Sequence, residues 1–321
     1  MKNIVKLVLK SIIVMLPFIA VILYIHTRPM RFMDDEYPFW QQHEDFIKED
    51  TNYWDIIVLG DSRANDAFVP DYLSYDLYNL ALGGASPVEM YYTMQTYLST
   101  HEAPSTVFIA FGDTHIAYKN QANYVEFWER TMYYHYLNTH QEIDFFKTVN
   151  GMDEHTILSD DYISRWIEYR FRLPKNYLPA LIKSGLDNRY EGNTEKYERS
   201  INNRGRYITP NGGGDAGVTT EATYEEFDYN PIIDLYFRKL IDLLVDNDIN
   251  IYIERVPFNQ ASYDNMKPIV REKIEQYYQN LQEDYPSIPM RTGVFCYGNE
   301  CFGDSNHVND YGARIYCKYI M

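Results

Sequence analysis

The chain has 321 residues and a net charge of −17, from 29 Lys and Arg against 46 Asp and Glu. That balance excludes a nucleic-acid partner, because affinity for phosphates comes from Lys and Arg and the counterions they release. The length favours one large domain over two small ones. No CxxC or HExxH spacing occurs, so neither a metal nor a cofactor is expected.

Residues 1–31 form a separate object. The run from Ile4 to Ile25 has about one bilayer's length if Lys6 and Lys10 snorkel toward the headgroups. No small-x-small cleavage site follows it, only His26, Thr27, Arg28 and Pro29, so an uncleaved anchor is expected in preference to a removed signal. Lys2, Lys6 and Lys10 precede the span and Arg28 and Arg31 follow it, which favours an N-terminus inside and the bulk of the chain outside. Residues 32–52 read as a polar, acidic and aromatic juxtamembrane spacer that holds the folded domain off the membrane.

Residues 53–321 read as an α/β domain. Four continuous apolar runs have strand length: Asp55 to Leu59, Leu77 to Leu82, Val107 to Phe111 and Ile249 to Ile253. Continuous apolarity predicts strands buried on both faces. Between and after them the spacing predicts helices over Pro87 to Thr100 (capped by Ser86), Pro231 to Asp246, Lys267 to Tyr285 and Asp310 to Ile320. Alternating elements call for a parallel sheet covered by helices. The interval of about 115–229 breaks the rhythm. It reads as a helical insertion where the strands finish, with Gly212 to Gly214 as a flexible loop. Cys296 and Cys301 bracket four residues closely enough to staple a loop, or stand as two unpaired thiols; the third cysteine is Cys317.

The chemistry gathers at two places. "WDIIVLGDSRAN" ends an apolar run in Gly60, Asp61 and Ser62, and "GDSNHVNDYGARIY" sets Asp304 three residues before His307. A nucleophilic serine needs a base, and the base needs a group that fixes its tautomer. His307 and Asp304 supply both from one turn, and a parallel sheet brings the first strand's end and the segment after the last strand to the same edge.

The ordered blocks resemble the SGNH (GDSL-like) hydrolase superfamily over roughly Trp54 to Phe111 and Ile249 to Tyr316. The resemblance implies a three-layer flavodoxin-like parallel sheet, with Ser62 as nucleophile, His307 as general base and Asp304 orienting it. The family's second block carries a glycine whose amide joins the oxyanion hole. "NLALGGAS" offers Gly83 or Gly84, with Gly83 preferred. The third block departs: "FGDTH" aligns Gly112 and Asp113 only loosely and lacks the family's asparagine donor.

The layout also resembles a membrane-anchored branch that includes the D-alanyl transfer protein of teichoic acid modification and the alginate O-acetylation proteins. "RVPFN" resembles a Pro-x-Asn turn of that branch and adds Asn259 to the candidate pocket. The resemblance implies an extracytoplasmic acyltransferase or esterase acting on acetyl or D-alanyl esters. Its partners would be a cell-envelope polysaccharide or teichoic acid and a membrane-bound O-acyltransferase. The alternative is a non-catalytic scaffold that recruits such an acyltransferase.

Further pocket candidates carry two readings each. Asp61 acts in chemistry or caps the next helix; Arg63 binds an anionic substrate group or is merely exposed; His115 lines the pocket or is an ordinary loop residue. The tyrosine pairs at Tyr91, Tyr133 and Tyr277 read mainly as packed helix faces.

Overall fold

A computed structural model describes residues 2–49, 53–73, 75–117, 130–150, 160–207 and 217–320. The loop glycines Gly212 to Gly214 lie outside the described residues. The chain divides into two compact units, Met1–Pro38 with Glu129–Lys196, and Phe39–Trp128 with Tyr197–Met321. The interval expected as one insertion is therefore shared: residues 129–196 group with the N-terminal helix, whereas 197–229 belong with the sheet.

In the first unit, helix α1 (Lys2–His26) is long and apolar enough to cross a membrane. The unit also holds the helices Thr139–Asn150, Asp160–Arg170 and Pro174–Asp187 and the first part of Arg189–Asn202. Its interior is aromatic. Tyr133 packs on Tyr177 and Tyr169 at centroid distances of 5.2 and 5.4 Å, and Tyr37 meets Tyr134 edge-on at 5.5 Å.

The second unit is built on a four-stranded parallel sheet. It contains α2 (Tyr37–Glu49) from Phe39 onward, then β1 (Ile56–Gly60), α3 (Ser62–Ala67), β2 (Leu77–Asn79), α4 (Pro87–Thr100), β3 (Thr106–Ala110) and β4 (Asn250–Glu254). The strand order is β2-β1-β3-β4, with Ile56 in register with both Leu77 and Thr106, and Thr106 with Asn250.

β1 is buried along its whole length, as a continuous apolar run requires. β4 behaves differently: Ile251 and Ile253 are buried while Asn250 and Tyr252 are exposed, alternate side chains leaving the strand on opposite faces; beyond β3 its other edge meets only an isolated parallel bridge from Ile253 to Met290. Ile56 and Val58 pack against α3 and the helix Asp310–Ile320 on one face. The opposite face carries α4 and the helix Pro231–Val245, which pack on each other and share a hydrogen bond of 2.9 Å between Tyr92 and Tyr236. Burying each such Ile or Val side chain contributes about 1.5–3 kcal/mol.

α4 starts where its sequence dictates: Ser86 and Glu89 form a capping box around Pro87. Asn230 caps the helix Pro231–Val245 in the same way, accepting from Ile232 N–H at 2.8 Å.

One local reading changes, and one open alternative closes. The segment expected as a spacer contains α2, which is packed inside the second unit: Trp40 is buried and Phe46 stacks on Tyr78 at 3.7 Å. Its apolar stripe is interrupted in the sequence by Gln42 and His43, which are buried with it. The three cysteines are free, so no bridge staples the loop at Cys296. Cys296 instead stands on β6 (Cys296–Tyr297), paired with β5 (Phe258–Asn259), while Cys301 and Cys317 are buried.

Candidate active site

β1 ends at Gly60, where only glycine fits: φ is +154°, and a Cβ would lie 1.9 Å from the Ala110 carbonyl oxygen of β3. The tight approach lets Asp61 turn inward. One of its carboxylate oxygens accepts from Arg63 N–H at 2.9 Å, capping α3, and the other accepts from Gly112 N–H at 2.8 Å. That second oxygen also faces His115 Nε2 at 3.1 Å. Asp61 is thus a fully buried cap that ties the end of β1 to the end of β3.

Ser62 follows at the first position of α3, where the backbone N–H has no intrahelical acceptor. Its Oγ lies 2.9 Å from His307 Nε2, across 245 residues of sequence. His307 Nδ1 lies 2.8 Å from Asp304 Oδ2. The carboxylate can only accept, so the proton sits on Nδ1 and leaves Nε2 to accept from the serine hydroxyl. Asp304 also accepts from the N–H groups of Asn306 and His307 at 2.7 and 2.8 Å. Burial pushes its carboxyl up, but the His307 hydrogen bond and charge and the two amides prevail and hold it down at about 2.

The turn carrying His307 is held from outside. Asn259 Nδ2 donates to the Ser305 carbonyl at 2.9 Å while its Oδ1 caps the helix Gln260–Asn265. Arg63 Nη2 donates to Asn306 Oδ1 at 2.9 Å, so the side chain next to Ser62 reaches the turn that bears His307. Arg63 is buried, ion-paired with Glu221 at 2.5 Å, and lies against Gly112, where a Cβ would meet its Cζ at 2.9 Å. It is committed to the protein rather than presented to a substrate anion.

A second buried pair lies behind this layer. Asp113 and Arg255 meet at 2.6 Å, with Arg255 over the Tyr278 ring at 4.4 Å. Burial pushes the Asp113 carboxyl up to about 6 against the opposing charge of Arg255. His115 is inside too: Nδ1 donates to the Ala85 carbonyl at 2.7 Å, and burial lowers its pKa against the pull of Asp61. Both Asp113 and His115 therefore serve the scaffold beneath Ser62. Gly84 supplies a positive φ of +74° to the turn after β2.

Gly83 is next to Ser62: a Cβ on it would lie 3.9 Å from Ser62 Cβ and 3.0 Å from the Tyr207 hydroxyl. Its N–H donates to that hydroxyl. Tyr207 is rigidly mounted, with its ring stacked on Phe39 at 3.9 Å and its N–H bonded to Asn65 Oδ1 at 3.0 Å. Asn65 also donates to the carbonyls of Ala81 and Gly205.

The structure thus brings Ser62, His307, Asp304 and Gly83 together and sets Asp61, Arg63, Asp113, His115 and Asn259 around them as supports. Sequence reasoning missed Tyr207 and Glu221, which no spacing connects to the Gly-Asp-Ser turn, and left Arg255 without a role although "RVPFN" contains it. Among the described residues no group of three or more His, Cys, Asp or Glu is placed to hold a metal ion. No protein-family model matches the chain, and no curated protein matches it.

Proposed function

We propose that the protein is a serine-dependent acyl-transfer enzyme of the SGNH type, anchored by α1 with its α/β unit on the outer side of the membrane. The observation that carries this reading is the unbroken hydrogen-bond chain from Ser62 Oγ through His307 to Asp304, at 2.9 and 2.8 Å. The strand order supports it, since β2-β1-β3-β4 is the start of the flavodoxin-like order. The three lysines in the first turns of α1, Lys2, Lys6 and Lys10, against the two arginines that follow it, Arg28 and Arg31, support the orientation.

In this reading His307 Nε2 takes the Ser62 proton as Oγ attacks an acyl carbonyl. The tetrahedral intermediate collapses, the leaving alcohol receives that proton from His307, and an acyl-enzyme remains. A sugar or polyol hydroxyl, or water, then attacks it, with His307 again taking and returning the proton. Asp304 stays ionised throughout and stabilises the imidazolium. The acyl group is acetyl or D-alanyl, the acceptor a cell-envelope polysaccharide or teichoic acid, and the donor partner a membrane-bound O-acyltransferase.

The oxyanion is held by the Ser62 N–H and by the Tyr207 hydroxyl. Gly83 N–H donates to the phenol oxygen, which makes its own proton a stronger donor, and this replaces the asparagine absent from "FGDTH".

Ser62→Ala tests the proposal: loss of both aryl-acetate hydrolysis and acylation of the envelope polymer is expected, and unchanged values for both would sink it. The occupied Gly83 amide is the observation that favours the second reading, a non-catalytic scaffold recruiting the acyltransferase. A fluorophosphonate probe separates the two. Labelling at Ser62 supports the enzyme, whereas silence with intact polymer binding supports the scaffold.

A further inference from the structure

The first unit carries an apolar surface that the fold leaves uncovered. Near the end of α1, the Arg28 guanidinium lies 4.7 Å over the Tyr24 ring and donates to its hydroxyl at 2.7 Å. An aromatic and a basic residue at the end of a spanning helix mark the depth of the membrane–water boundary. At the same level His26 Nε2 donates to the Phe171 carbonyl at 2.9 Å, which pins the junction between the helices Asp160–Arg170 and Pro174–Asp187 to that boundary. The helix Pro174–Asp187 packs on α1, and a cavity of about 550 Å³ opens among Tyr24, Phe32, Leu181 and Ile182.

The outward side of both helices is apolar at helical spacing. Ile163, Ile167 and Phe171 recur every four residues along one stripe, all exposed. Pro179, Ile182 and Leu186 form a second stripe. Leu186 is 84% exposed, more than Val14 of α1 itself at 75%. Exposed Lys183 and Lys175, the latter also paired with Glu168, flank the second stripe. An apolar face edged by lysines is the pattern of a helix that lies in the interface plane.

We infer that the helices Asp160–Arg170 and Pro174–Asp187 lie in the membrane interface beside the end of α1. Ile163, Ile167, Phe171, Ile182 and Leu186 enter the outer acyl region, and Lys175 and Lys183 reach the phosphates. Lipid is the occupant because the face continues the surface of the spanning helix at the depth that Tyr24 and Arg28 mark. A soluble partner would have no reason to meet it there. This inference rests on α1 spanning the membrane and is independent of the acyl-transfer reading.

The test uses the full chain reconstituted in vesicles of phosphatidylcholine and phosphatidylglycerol. Nitroxides are attached to Ile182→Cys and Leu186→Cys in a Cys296→Ser background, since Cys301 and Cys317 are buried. Exposed Glu195→Cys gives the aqueous reference. Labels at 182 and 186 are expected to collide more with oxygen and less with a water-soluble nickel chelate than the label at 195. Nickel access equal to that at 195 would overturn the inference. So would access in vesicles combined with shielding from both probes in native membranes, which marks a protein partner. Thermal unfolding of each labelled variant, compared with the parent, verifies that the labels report the native fold.

Discussion

Ser62 and the turn that carries His307 are held by opposite means. Ser62 stands on charges withdrawn from water: Asp61, Arg63, Asp113, Glu221 and Arg255 are all buried beneath or beside it. Asp304 and His307 stand on a turn that water reaches, with the Asp304 side chain half exposed. A buried charge without its partner is costly, so the layer under Ser62 stays in place only as a complete set. The turn needs no such set, because Asp304 organises it locally through two backbone amides and one ring nitrogen. The setting of Ser62 is thus a property of the fold; the pairing of His307 with Asp304 is nearly a property of four consecutive residues, and the fold, through Asn259 and Arg63, holds that turn beside Ser62.

The comparison can be broken at several points, the largest effect coming first. Ser62→Ala or His307→Ala is expected to lower aryl-acetate turnover by about 10⁴-fold or more with little loss of stability, read by steady-state kinetics beside a melting curve. Arg255→Ala should do the reverse first. Leaving Asp113 unpaired in the interior is expected to cost about 3–5 kcal/mol in denaturant unfolding, and Arg255→Met combined with Asp113→Leu should recover most of it. If Arg255→Ala proves neutral, the buried layer is not the support described.

Tyr207→Phe keeps the ring on Phe39 and removes only the hydroxyl. A fall of about 10²-fold in kcat at nearly constant KM is expected. A rise in rate would instead identify the hydroxyl as a plug on the Gly83 amide.

The smallest effect concerns pH. The Asp304 carboxyl is held at about 2 against an ordinary 3.8. A carboxyl depressed in the folded state stabilises the fold above its unfolded value, and that contribution disappears as the pH falls from 3.8 to about 2. Asp304→Asn is therefore expected to flatten the pH dependence of the unfolding midpoint across that window; an unchanged slope would show that the His307 pairing does not hold the carboxylate.

Much of this was legible along the chain wherever a local pattern exists. Gly60 reports a close approach, Ser86 and Glu89 report a helix start, and the apolar runs lie within a residue or so of β1, β3 and β4. The helix Asp310–Ile320 was delimited by its periodicity alone. Illegible were α2, whose buried face includes Gln42 and His43, and the exposed alternation of β4, which depends on which faces of the strand the helices cover. The roles of Arg63 and His115 were open for the same reason: burial and partners decide them.

By itself, then, the sequence determined the strands β1, β3 and β4 and the helices that cover them, the spanning length of α1 and the identity of a serine, a histidine and an aspartate with complementary chemistry. Hydrogen bonding within a strand, a cap or a four-residue turn is a short-range affair that neighbouring residues encode. Only the tertiary structure decided that His307 comes within 2.9 Å of Ser62, that Arg63 faces Glu221, and that the Gly83 amide meets Tyr207. Those contacts join residues 245, 158 and 124 positions apart, where no periodicity reaches and only the packing of the sheet and its helices sets the distance.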